Sequence, residues 1–379
     1  MVGGKGTWKD TPDYTKRVAI IFGVTGQDGS YLSELLLSKG YRVIGIRRRS
    51  SVDTTERLDA VCGHPKFELV EGDVGDAISV ANLLQQYQPH ECYNLAAQSH
   101  VGTSFKQPSY TFQVDAVGVL NILEAIRTCS VHTRFYQAST SEMFGNNYHT
   151  IGLGDQTIIY QDETVPLAPT SPYAVAKVAA HYLVSTYRTA YNIHASCGIL
   201  FNHESERRGE NFVTRKITKW IGALKLFLDY YDVDWDNQEL GSDDIVSRDG
   251  TTFAKLRLGT LDAVRDWGHA KDYVRGMWMM MQEESPDDYV IATGRGYTVQ
   301  QFIDAAFNYV GLPAEECIVI DPKFCRPSEV YHLCGNAKKA TDAFGWKPKI
   351  TFDKLVHGMV DSDIQKAKGG VSPPMEPVA

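Results

Sequence analysis

The feature that most constrains the fold of this chain is a repeated alternation between short apolar runs and longer segments with helical spacing of apolar residues. The runs of strand length lie at 17–22, 41–46, 67–70, 91–95, 134–138 and 195–200, and the helical segments between them include 30–39, 77–86, 110–127 and 172–191. The runs are continuously apolar, which is typical of strands that are buried on both faces. We therefore expect an α/β fold with a Rossmann-type, doubly wound parallel sheet.

The alternation of strands and helices changes after about residue 202. Two strand-like pieces, 255–258 and 289–292, lie among helical segments at 213–228, 271–282, 299–309 and 351–366. We interpret residues 17–202 as a dinucleotide-binding Rossmann domain. Residues 203–366 are interpreted as mainly a smaller, mixed α/β substrate-binding lobe, with some chain returning to the first domain.

Three segments are predicted to lie outside the packed core. Residues 229–253 are rich in Asp, Gly and Ser and interrupt the second lobe, which predicts an inserted surface loop. Residues 1–16 and 367–379 lack a pattern that could bury an apolar face, so we expect a flexible leader and a flexible tail.

Charge and cysteine usage exclude several classes of function. The formal net charge of −8 at pH 7 disfavours nucleic acid as a partner. The seven cysteines form no CxxC pair, so no metal site is predicted. No run of about 18 apolar residues is present, and the polar N-terminus lacks a secretory signal. We therefore expect a cytoplasmic protein that does not bind a membrane.

A glycine-rich turn lies between the first predicted strand and the first predicted helix. Glycines at this place allow the backbone to approach a pyrophosphate, whose charge is stabilised by the free N–H groups of the helix N-terminus. The sequence therefore predicts a dinucleotide site, whose first members are Gly23, Gly26, Gln27, Asp28 and Gly29. A plain strand–helix turn is the alternative interpretation.

The end of the second predicted strand indicates which dinucleotide is bound. An Asp or Glu at this place usually bonds the ribose 2′-hydroxyl of NAD. In this chain the strand runs into a basic segment that includes Arg48, Arg49 and Ser51, and these side chains suit a 2′-phosphate. NADP is therefore the predicted cofactor, and the alternative is a solvated basic turn. Four further residues after the third and fourth strands are predicted to contact the adenine, ribose and nicotinamide: Asp73, Val74, Leu95 and Ala97.

A phenol, an amine, a hydroxyl and a carboxylate form the candidate catalytic group. Tyr173 and Lys177 are four residues apart on a predicted helix and share one face. A nearby ammonium favours the phenolate of a tyrosine, which is otherwise a poor base at neutral pH. Thr140 and Glu142 follow the fifth predicted strand. Thr140 is placed to bond a substrate oxygen, and Glu142 supplies a second acid–base group, unless it only caps a turn.

These motifs together resemble the extended short-chain dehydrogenase/reductase family. Longer blocks resemble its GDP-mannose 4,6-dehydratase branch in particular, and they lie at 198–205, 207–210, 212–217, 265–273 and 326–330. The resemblance spans nearly all of residues 17–365.

The resemblance implies roles for residues at matching positions. The implied catalytic set is Thr140, Glu142, Tyr173 and Lys177. The implied cofactor site is completed by Tyr173, Lys177, Leu200, His203 and Arg208. The implied GDP-sugar site consists of Ser99, Ser141, Glu142, Asn202, Val213, Lys216, Arg265, Arg326 and Glu329. Among these, the cations suit a diphosphate and Glu329 suits ribose hydroxyls.

The resemblance also implies a reaction and an assembly. The reaction is the conversion of GDP-D-mannose to GDP-4-dehydro-6-deoxy-D-mannose through bound NADP, with internal hydride transfer and loss of water. The implied assembly is a homotetramer or a homodimer. The alternatives are a dehydratase of another GDP-hexose or GDP-heptose, a nucleotide-sugar 4-epimerase or 4-reductase, and a non-catalytic NADP-binding protein. An epimerase would not need Glu142, and the presence of every expected catalytic side chain argues against a non-catalytic protein.

The chain departs from the family pattern at several places. Glu206 stands where a proline is usual, and Tyr331 and Asn336 replace acidic residues. The segments 146–162 and 229–253 are longer than expected. Because these loops flank the sugar side of the predicted site, they affect the expected hexose more than the expected reaction.

Overall fold

The computed structural model describes residues 13–153, 156–238 and 242–369. Most of the predicted leader (1–16) and most of the predicted tail (367–379) lie outside these residues. Within the described part of the chain, no helix combines the length and the apolar character that crossing a membrane requires.

Strands and helices alternate along most of the chain. The strands are β1 (Val18–Phe22), β2 (Arg42–Arg47), β3 (Phe67–Glu71), β4 (Glu91–Asn94), β5 (Arg134–Thr140), β6 (His149–Leu153), β7 (Gln156–Tyr160), β8 (Ala195–Leu200), β9 (Asn202–Glu204), β10 (Asp244–Val246), β11 (Thr252–Ala254), β12 (Leu256–Leu258), β13 (Val264–His269), β14 (Asp288–Ile291), β15 (Gly296–Thr298) and β16 (Ile318–Ile320). The α-helices are α1 (Gln27–Ser38), α2 (Ala77–Tyr87), α3 (Val101–Lys106), α4 (Pro108–Phe112), α5 (Gly118–Cys129), α6 (Pro172–Tyr191), α7 (Val213–Leu228), α8 (Ala270–Met280), α9 (Val299–Val310), α10 (Ala314–Cys317), α11 (Lys338–Phe344) and α12 (Phe352–Gly369).

Seven strands form one parallel sheet, in the spatial order β14-β8-β5-β4-β1-β2-β3. The direction of winding reverses between β1 and β4. The connections that follow these two strands therefore diverge and leave a crevice at the carboxyl edge of the sheet, where open α/β folds bind ligands. The predicted Rossmann-type, doubly wound sheet is confirmed.

Helices cover both faces of this sheet, as continuously apolar strands require. In β1, Ile21 packs on the face covered by α1 and α8, and its neighbour Ile20 packs on the face covered by α2, α5 and α6. Both residues are fully buried. This alternation of faces explains why the strand has no polar position along its length.

A second core lies in the C-terminal part of the chain. It is built by α7, α9 and α12 around Trp267 and Phe302, whose ring centroids are 5.3 Å apart. The short strand β13 carries Trp267 and pairs with β9 and β15. Because β9 directly follows β8 of the large sheet, β13 lies close to the carboxyl edge where the crevice opens.

Two sequence predictions about the elements need correction. The predicted helix at 110–127 is interrupted by a π-helical turn, Gln113–Val117, which separates α4 from α5. The predicted strand at 289–292 is present as β14, but it pairs with β8 in the large sheet and does not belong to the second lobe. Sequence order alone had suggested the second lobe, because β14 follows a long stretch of that lobe.

The two long segments are also more ordered than a plain loop. Segment 229–253 contains a 3-10 turn (Trp235–Asn237) and the start of the β10–β11 hairpin, and Ile245 and Phe253 are buried in the second core. Apolar side chains within the acidic segment account for this packing. The segment 146–162 contains the antiparallel pair β6–β7.

Candidate active site

A cleft with a volume of about 1370 Å³ opens at the carboxyl edge of the sheet. Of the predicted site residues, all of which the structure describes, only Arg49 and Ser51 do not line it. The cleft is lined from the first domain by the loops after β1, β3, β4 and β5, and from the second lobe by residues around α7, β13 and the segment near Arg326. The fold therefore brings together residues that are up to about 300 positions apart in the chain.

The glycine turn lines the cleft, and its glycines allow the chain to pack closely against its own backbone. Gly23 has a φ of +79°, and a Cβ at this position would lie 2.7 Å from the backbone nitrogen of Ala96. A Cβ on Gly29 would lie 2.6 Å from the carbonyl oxygen of Gly23. Helix α1 begins at Gln27, three residues earlier than predicted, so its N-terminus faces the cleft directly. The turn therefore fits a pyrophosphate, which needs both free N–H groups and an exposed backbone.

The side chains of Gln27 and Asp28, which lie in the glycine turn, form hydrogen bonds within the protein. Asp28 accepts a hydrogen bond from Nε2 of His203 at 2.7 Å, and Nδ1 of His203 donates to the carbonyl of Phe201 at 2.7 Å. Burial alone would lower the pKa of His203, but the Asp28 carboxylate raises it above its usual value. Gln27 likewise donates to the carbonyl of His203. These contacts join the glycine turn to the segment that enters the second lobe.

The basic segment after β2 is only partly in the cleft. Arg48 lines the cleft, and its guanidinium donates to the hydroxyl of Tyr110 at 2.6 Å. Arg49 and Ser51 are exposed and do not line the cleft. In this chain the structure thus does not bring Arg49 and Ser51 to the predicted position, whereas Arg47, which was not predicted, does line the cleft.

Helix α6 carries the predicted phenol and amine into the cleft. The helix begins at Pro172, and the Ser171 hydroxyl caps its N-terminus by accepting from the backbone N–H of Ala174. The Lys177 ammonium lies 5.8 Å from the ring centroid of Tyr173 and donates to the carbonyl of Ala138 at 3.0 Å. Lys177 is thereby held at the end of β5 by a hydrogen bond from its side chain to the backbone.

Burial dominates the electrostatics of this pair. Burial raises the pKa of Tyr173 well above its usual value, the carboxylates of Asp115 and Glu142 raise it further, and a hydrogen bond with Thr140 lowers it. Burial also lowers the pKa of Lys177, and Asp115 opposes that effect. A positive charge beside the phenol is therefore needed before Tyr173 can act as a base near neutral pH.

Thr140 and Glu142 lie at the end of β5, as predicted. The Thr140 hydroxyl accepts from the backbone N–H of Glu142 at 3.3 Å and begins the 3-10 turn Ser141–Phe144. The Glu142 side chain lines the cleft, is only 8% exposed, and lies 3.3 Å from the guanidinium of Arg326. Glu142 therefore faces the cleft interior, where a second acid–base group is needed, and does not serve only as a turn cap.

On the side of the cleft formed by the second lobe, positively and negatively charged side chains lie next to one another. Glu329 lies 2.8 Å from Arg265 and 3.6 Å from Arg326. Lys216 extends from α7 with its ammonium 3.5 Å from the ring centroid of Phe324. Five further residues of the predicted sites line the same cleft: Ser99, Ser141, Leu200, Asn202 and Val213. Arg208 also lines it, and its Nε lies 3.1 Å from Glu204.

Two residues near the site have no role in the prediction from the sequence. Asp115 is fully buried in the π-helical turn and acts electrostatically on both Tyr173 and Lys177. An isolated Asp within a helical segment gives no sequence signal for this role. His100 also lines the cleft, but its Nδ1 accepts from the backbone N–H of Thr103 and caps α3. This capping accounts for the position of His100 without a chemical role.

One group of potential metal ligands occurs among the described residues. Side-chain donor atoms of His181, Cys197 and Asp288 lie within 4.8 Å of one another. Arg188 already forms an ion pair with Asp288, and burial raises the pKa of the Cys197 thiol well above its usual value. A thiol must lose its proton to bind a metal, so this group does not fit a metal ion.

The Rossmann sheet, the glycine turn and the Tyr173–Lys177 pair in one cleft define a protein of the extended short-chain dehydrogenase/reductase class. The chain matches the family described as GDP-mannose 4,6 dehydratase over residues 20–231 and 247–359. The chain belongs to this GDP-mannose 4,6-dehydratase family, and the resemblance inferred from the sequence is confirmed.

Individual relatives and a solved structure agree with this assignment. GDP-mannose 4,6 dehydratase 1 of Arabidopsis thaliana is 46% identical over 363 residues, covering 93% of this chain and 91% of the relative. The GDP-mannose 4,6-dehydratase of Sinorhizobium fredii (strain HH103) is 45% identical over 378 residues, covering 93% and 98%. The crystal structure of dTDP-glucose 4,6-dehydratase from Bacillus anthracis in complex with NAD has a TM-score of 0.73 and 18% identity, covering 93% of this chain and 98% of the other. This last similarity shows a common fold.

Proposed function

We propose that this protein converts GDP-D-mannose to GDP-4-dehydro-6-deoxy-D-mannose and uses bound NADP for an internal hydride transfer. The observation that carries the proposal is the position of Glu142, whose buried carboxylate lines the same cleft as Tyr173 and Lys177. Oxidation of an alcohol alone needs the phenol and the amine. Elimination of water needs a further group that can remove a carbon-bound proton.

The glycine turn and the helix N-terminus in the cleft suit a nicotinamide dinucleotide, independently of the catalytic residues. Gly23, Gly26 and Gly29 line the cleft beside the N-terminus of α1, whose free N–H groups suit a pyrophosphate. When bound, the cofactor would supply a hydride acceptor for C4 of the sugar and later a hydride donor for C6. The residues that would hold its nicotinamide end are Leu95, Ala97, Tyr173 and Lys177.

The first step assigned to the protein is removal of the proton from the sugar 4-hydroxyl. Tyr173 takes this proton as its phenolate, and the Lys177 ammonium stabilises that form. Thr140 lines the cleft together with Tyr173, and in this proposal its hydroxyl holds the same sugar oxygen. With the C4 hydride passed to the nicotinamide that the cleft would hold, the product would be a 4-keto sugar, and the adjacent ketone would acidify its C5 hydrogen.

The second step is loss of water across C5 and C6. Glu142 removes the C5 proton, and the carboxylic acid formed then protonates the departing 6-hydroxyl, so that the group ends the step ionised again. Return of the hydride to C6 would require a proton at C5, and the proton that Tyr173 took in the first step balances it and restores the phenolate. Arg265, Arg326, Lys216 and Glu329 line the cleft. In this proposal the three cations neutralise the diphosphate, and Glu329 bonds the ribose hydroxyls of the nucleotide. Charges that hold the nucleotide thus lie next to the group that eliminates water.

Arg48 supports NADP as the cofactor. It follows a β2 strand that ends without an acidic residue, and its guanidinium lies in the cleft.

We also propose that the protein forms a homodimer or a homotetramer. Apolar side chains that are exposed on one side of α6, Val175 (45%) and Tyr182 (57%), support a helix-mediated contact between subunits.

The proposed reaction is tested by Glu142→Gln, incubated with GDP-mannose and NADP and followed by mass spectrometry. Wild-type protein is expected to give a nucleotide sugar that is lighter by one water. The variant is expected to form this product about 10²- to 10⁴-fold more slowly, because an amide cannot take the C5 proton. Its affinity for NADP should be unchanged, since Glu142 lies on the substrate side of the cleft.

Glu163→Gln is the matched control. Glu163 is a half-buried glutamate outside the cleft that accepts from the backbone of Val290, so this variant should keep wild-type turnover. Full activity of Glu142→Gln would overturn the proposed dehydration. A wild-type product with unchanged mass would instead favour a 4-epimerase.

A further inference from the structure

An acidic side chain lies inside the turn that is proposed to bind the cofactor diphosphate. Asp28 is the second residue of α1, and its side chain lines the cleft beside the glycine turn and is 19% exposed. The partial positive charge of the helix N-terminus stabilises a carboxylate at this place and keeps it ionised. The same carboxylate repels any second anion that binds at this N-terminus. An anion site here therefore needs a positive charge that compensates Asp28.

The hydrogen bonds of His203 show which group carries this charge. Its Nε2 lies 2.7 Å from Oδ2 of Asp28, and its Nδ1 lies 2.7 Å from the carbonyl oxygen of Phe201. A carbonyl and an ionised carboxylate can only accept hydrogen bonds. Both ring nitrogens of His203 must therefore donate, and an imidazole ring that donates from both nitrogens is the protonated imidazolium.

The two side chains are held together by further contacts, so the ring cannot turn away from the carboxylate without breaking them. The Gln27 amide donates to Oδ1 of Asp28 and to the backbone carbonyl of His203, both at 3.0 Å. The hydroxyl of Ser205 donates to the side-chain oxygen of the same Gln27 at 2.7 Å. A neutral His203 ring in this position would either leave the Phe201 carbonyl without its donor or place the lone pair of Nε2 against the carboxylate.

The groups that pack around His203 also favour a cation. The ring of Tyr273 on α8 stacks on the imidazole with centroids 4.6 Å apart, and the face of a tyrosine ring attracts a positive charge. Burial alone would lower the pKa of His203, but the Asp28 carboxylate raises it above its usual value, and Arg208 opposes that rise. The Arg208 charge is itself offset, because its Nε lies 3.1 Å from the carboxylate of Glu204.

We propose that His203 is an imidazolium that compensates the charge of Asp28, so that the turn at the N-terminus of α1 can accept the cofactor diphosphate. This inference rests on the proposed function, because the compensation is needed only if an anion binds at that N-terminus. The ion pair leaves the turn without net charge from these two side chains. The free N–H groups of α1 then attract the diphosphate without an opposing carboxylate.

The first experiment determines the charge of His203 in the protein without cofactor. NMR spectra of protein with isotope-labelled histidine rings distinguish an imidazolium from both neutral tautomers, and the signal that is missing in His203→Gln identifies the residue. The imidazolium is expected in the wild type at about pH 8, well above the usual histidine pKa of about 6.5. In Asp28→Asn the neutral ring is expected at the same pH, because the asparagine amide can donate to Nε2.

His90 is the internal control for this measurement. It lies at the amino edge of the sheet, far from the cleft along the strands, and its Nδ1 accepts from the backbone N–H of Val18. A ring nitrogen that accepts carries no hydrogen, so His90 should give the signals of a neutral ring in the wild type and in Asp28→Asn. A neutral His203 ring in the wild type at this pH would overturn the inference.

The second experiment measures NADP binding by isothermal titration calorimetry at the same pH. His203→Gln keeps a donor but removes the charge. It is expected to raise the Kd of NADP about 10- to 100-fold, because the diphosphate then lies near an uncompensated carboxylate. Adding Asp28→Asn to this variant removes the carboxylate and is expected to restore most of the lost affinity. A double variant that binds NADP as weakly as His203→Gln would contradict the inference, since the lost affinity would then come from packing.

His149→Gln is the matched control for the binding measurement. His149 lies outside the cleft with its Nε2 3.7 Å from the carboxylate of Asp162, so its replacement should leave the Kd of NADP unchanged. His203→Asn, whose amide replaces Nδ1, takes the place of His203→Gln if that variant does not fold. Absence of NADP binding by the wild type would refute the proposed cofactor, while the NMR measurement would still decide the charge of His203.

Discussion

Arg48 and Arg49 are neighbours in the chain with different surroundings. Both side chains are exposed, but Arg48 lines the cleft and bonds to Tyr110, whereas Arg49 lies outside the cleft. A 2′-phosphate bound at the end of β2 can therefore be reached by Arg48 within the same chain. The two arginines form a natural pair of test and control, because they have the same charge and differ in position by one residue.

Arg48→Ala is expected to weaken NADP binding and to leave NAD binding nearly unchanged. A hydrogen bond to a charged group contributes about 1.5–3 kcal/mol, which corresponds to about a 10- to 100-fold increase in Kd for NADP. Isothermal titration calorimetry with both cofactors measures this difference. Arg49→Ala should bind both cofactors as the wild type does. An equal loss of NADP affinity in Arg48→Ala and Arg49→Ala would contradict this prediction. It would mean that the 2′-phosphate binds on the solvent side of the segment after β2.

The structure explains one of the departures from the family pattern, the glutamate at position 206. Its carboxylate accepts from the hydroxyl of Tyr31 at 2.6 Å and lies 3.7 Å from Nε2 of His269. A glutamate at a position where proline is usual is therefore held by two side chains, one of them on α1. Tyr331 is 62% exposed, and nothing in the structure explains why it replaces an acidic residue.

Among the helices, α7 and α12 are joined by a buried ion pair. The Arg215 guanidinium on α7 binds both oxygens of Asp363 on α12, at 2.8 Å and 2.5 Å, and Thr218 donates to the same carboxylate. Both charged side chains are at most 5% exposed. Because α7 also carries Lys216 and Val213, this pair fixes the helix that forms one wall of the cleft.

Removing one partner of this pair is expected to destabilise the protein strongly. Asp363→Ala leaves a buried guanidinium without a counter-charge, and such a change typically costs about 3–5 kcal/mol. The free energy of unfolding in urea measures the loss. Lys368→Ala breaks an exposed pair with Asp229 near the end of the same helix and should cost about 0–1 kcal/mol. Similar losses in the two variants would mean that the buried pair does not anchor α7.

For the molecule as a whole, the exposed apolar side of α6 predicts an assembly that places the catalytic helix at a subunit contact. Tyr182→Glu is expected to reduce the molar mass in solution, because a charge would be buried against the partner. Size-exclusion chromatography with light scattering reports this mass. Ile78→Glu, at an exposed apolar residue (73%) on α2, is the control and should keep the wild-type mass. An unchanged mass in Tyr182→Glu would exclude this face as the contact.

The sequence predicted the features that depend on local patterns. The apolar strands, the glycine turn and the four-residue spacing of Tyr173 and Lys177 each have a physical signature within a few residues, and the structure places them as expected. Asp115 had no such signature, because its position near the catalytic helix depends on how α6 packs against a distant turn. The direction of the chain after Arg48 and the return of β14 to the large sheet are likewise tertiary features, which short stretches of sequence do not specify.

The position of β14 has a consequence for how the protein is made. The outer edge of β8 is completed by a strand that leaves the ribosome only after α7, β13 and α8 have been translated. Until then, a nascent chain presents an unpaired strand edge, and such edges recruit other chains. Fragments that stop near residue 202 are therefore poor candidates for separate expression, and slow translation through the second lobe should favour aggregation.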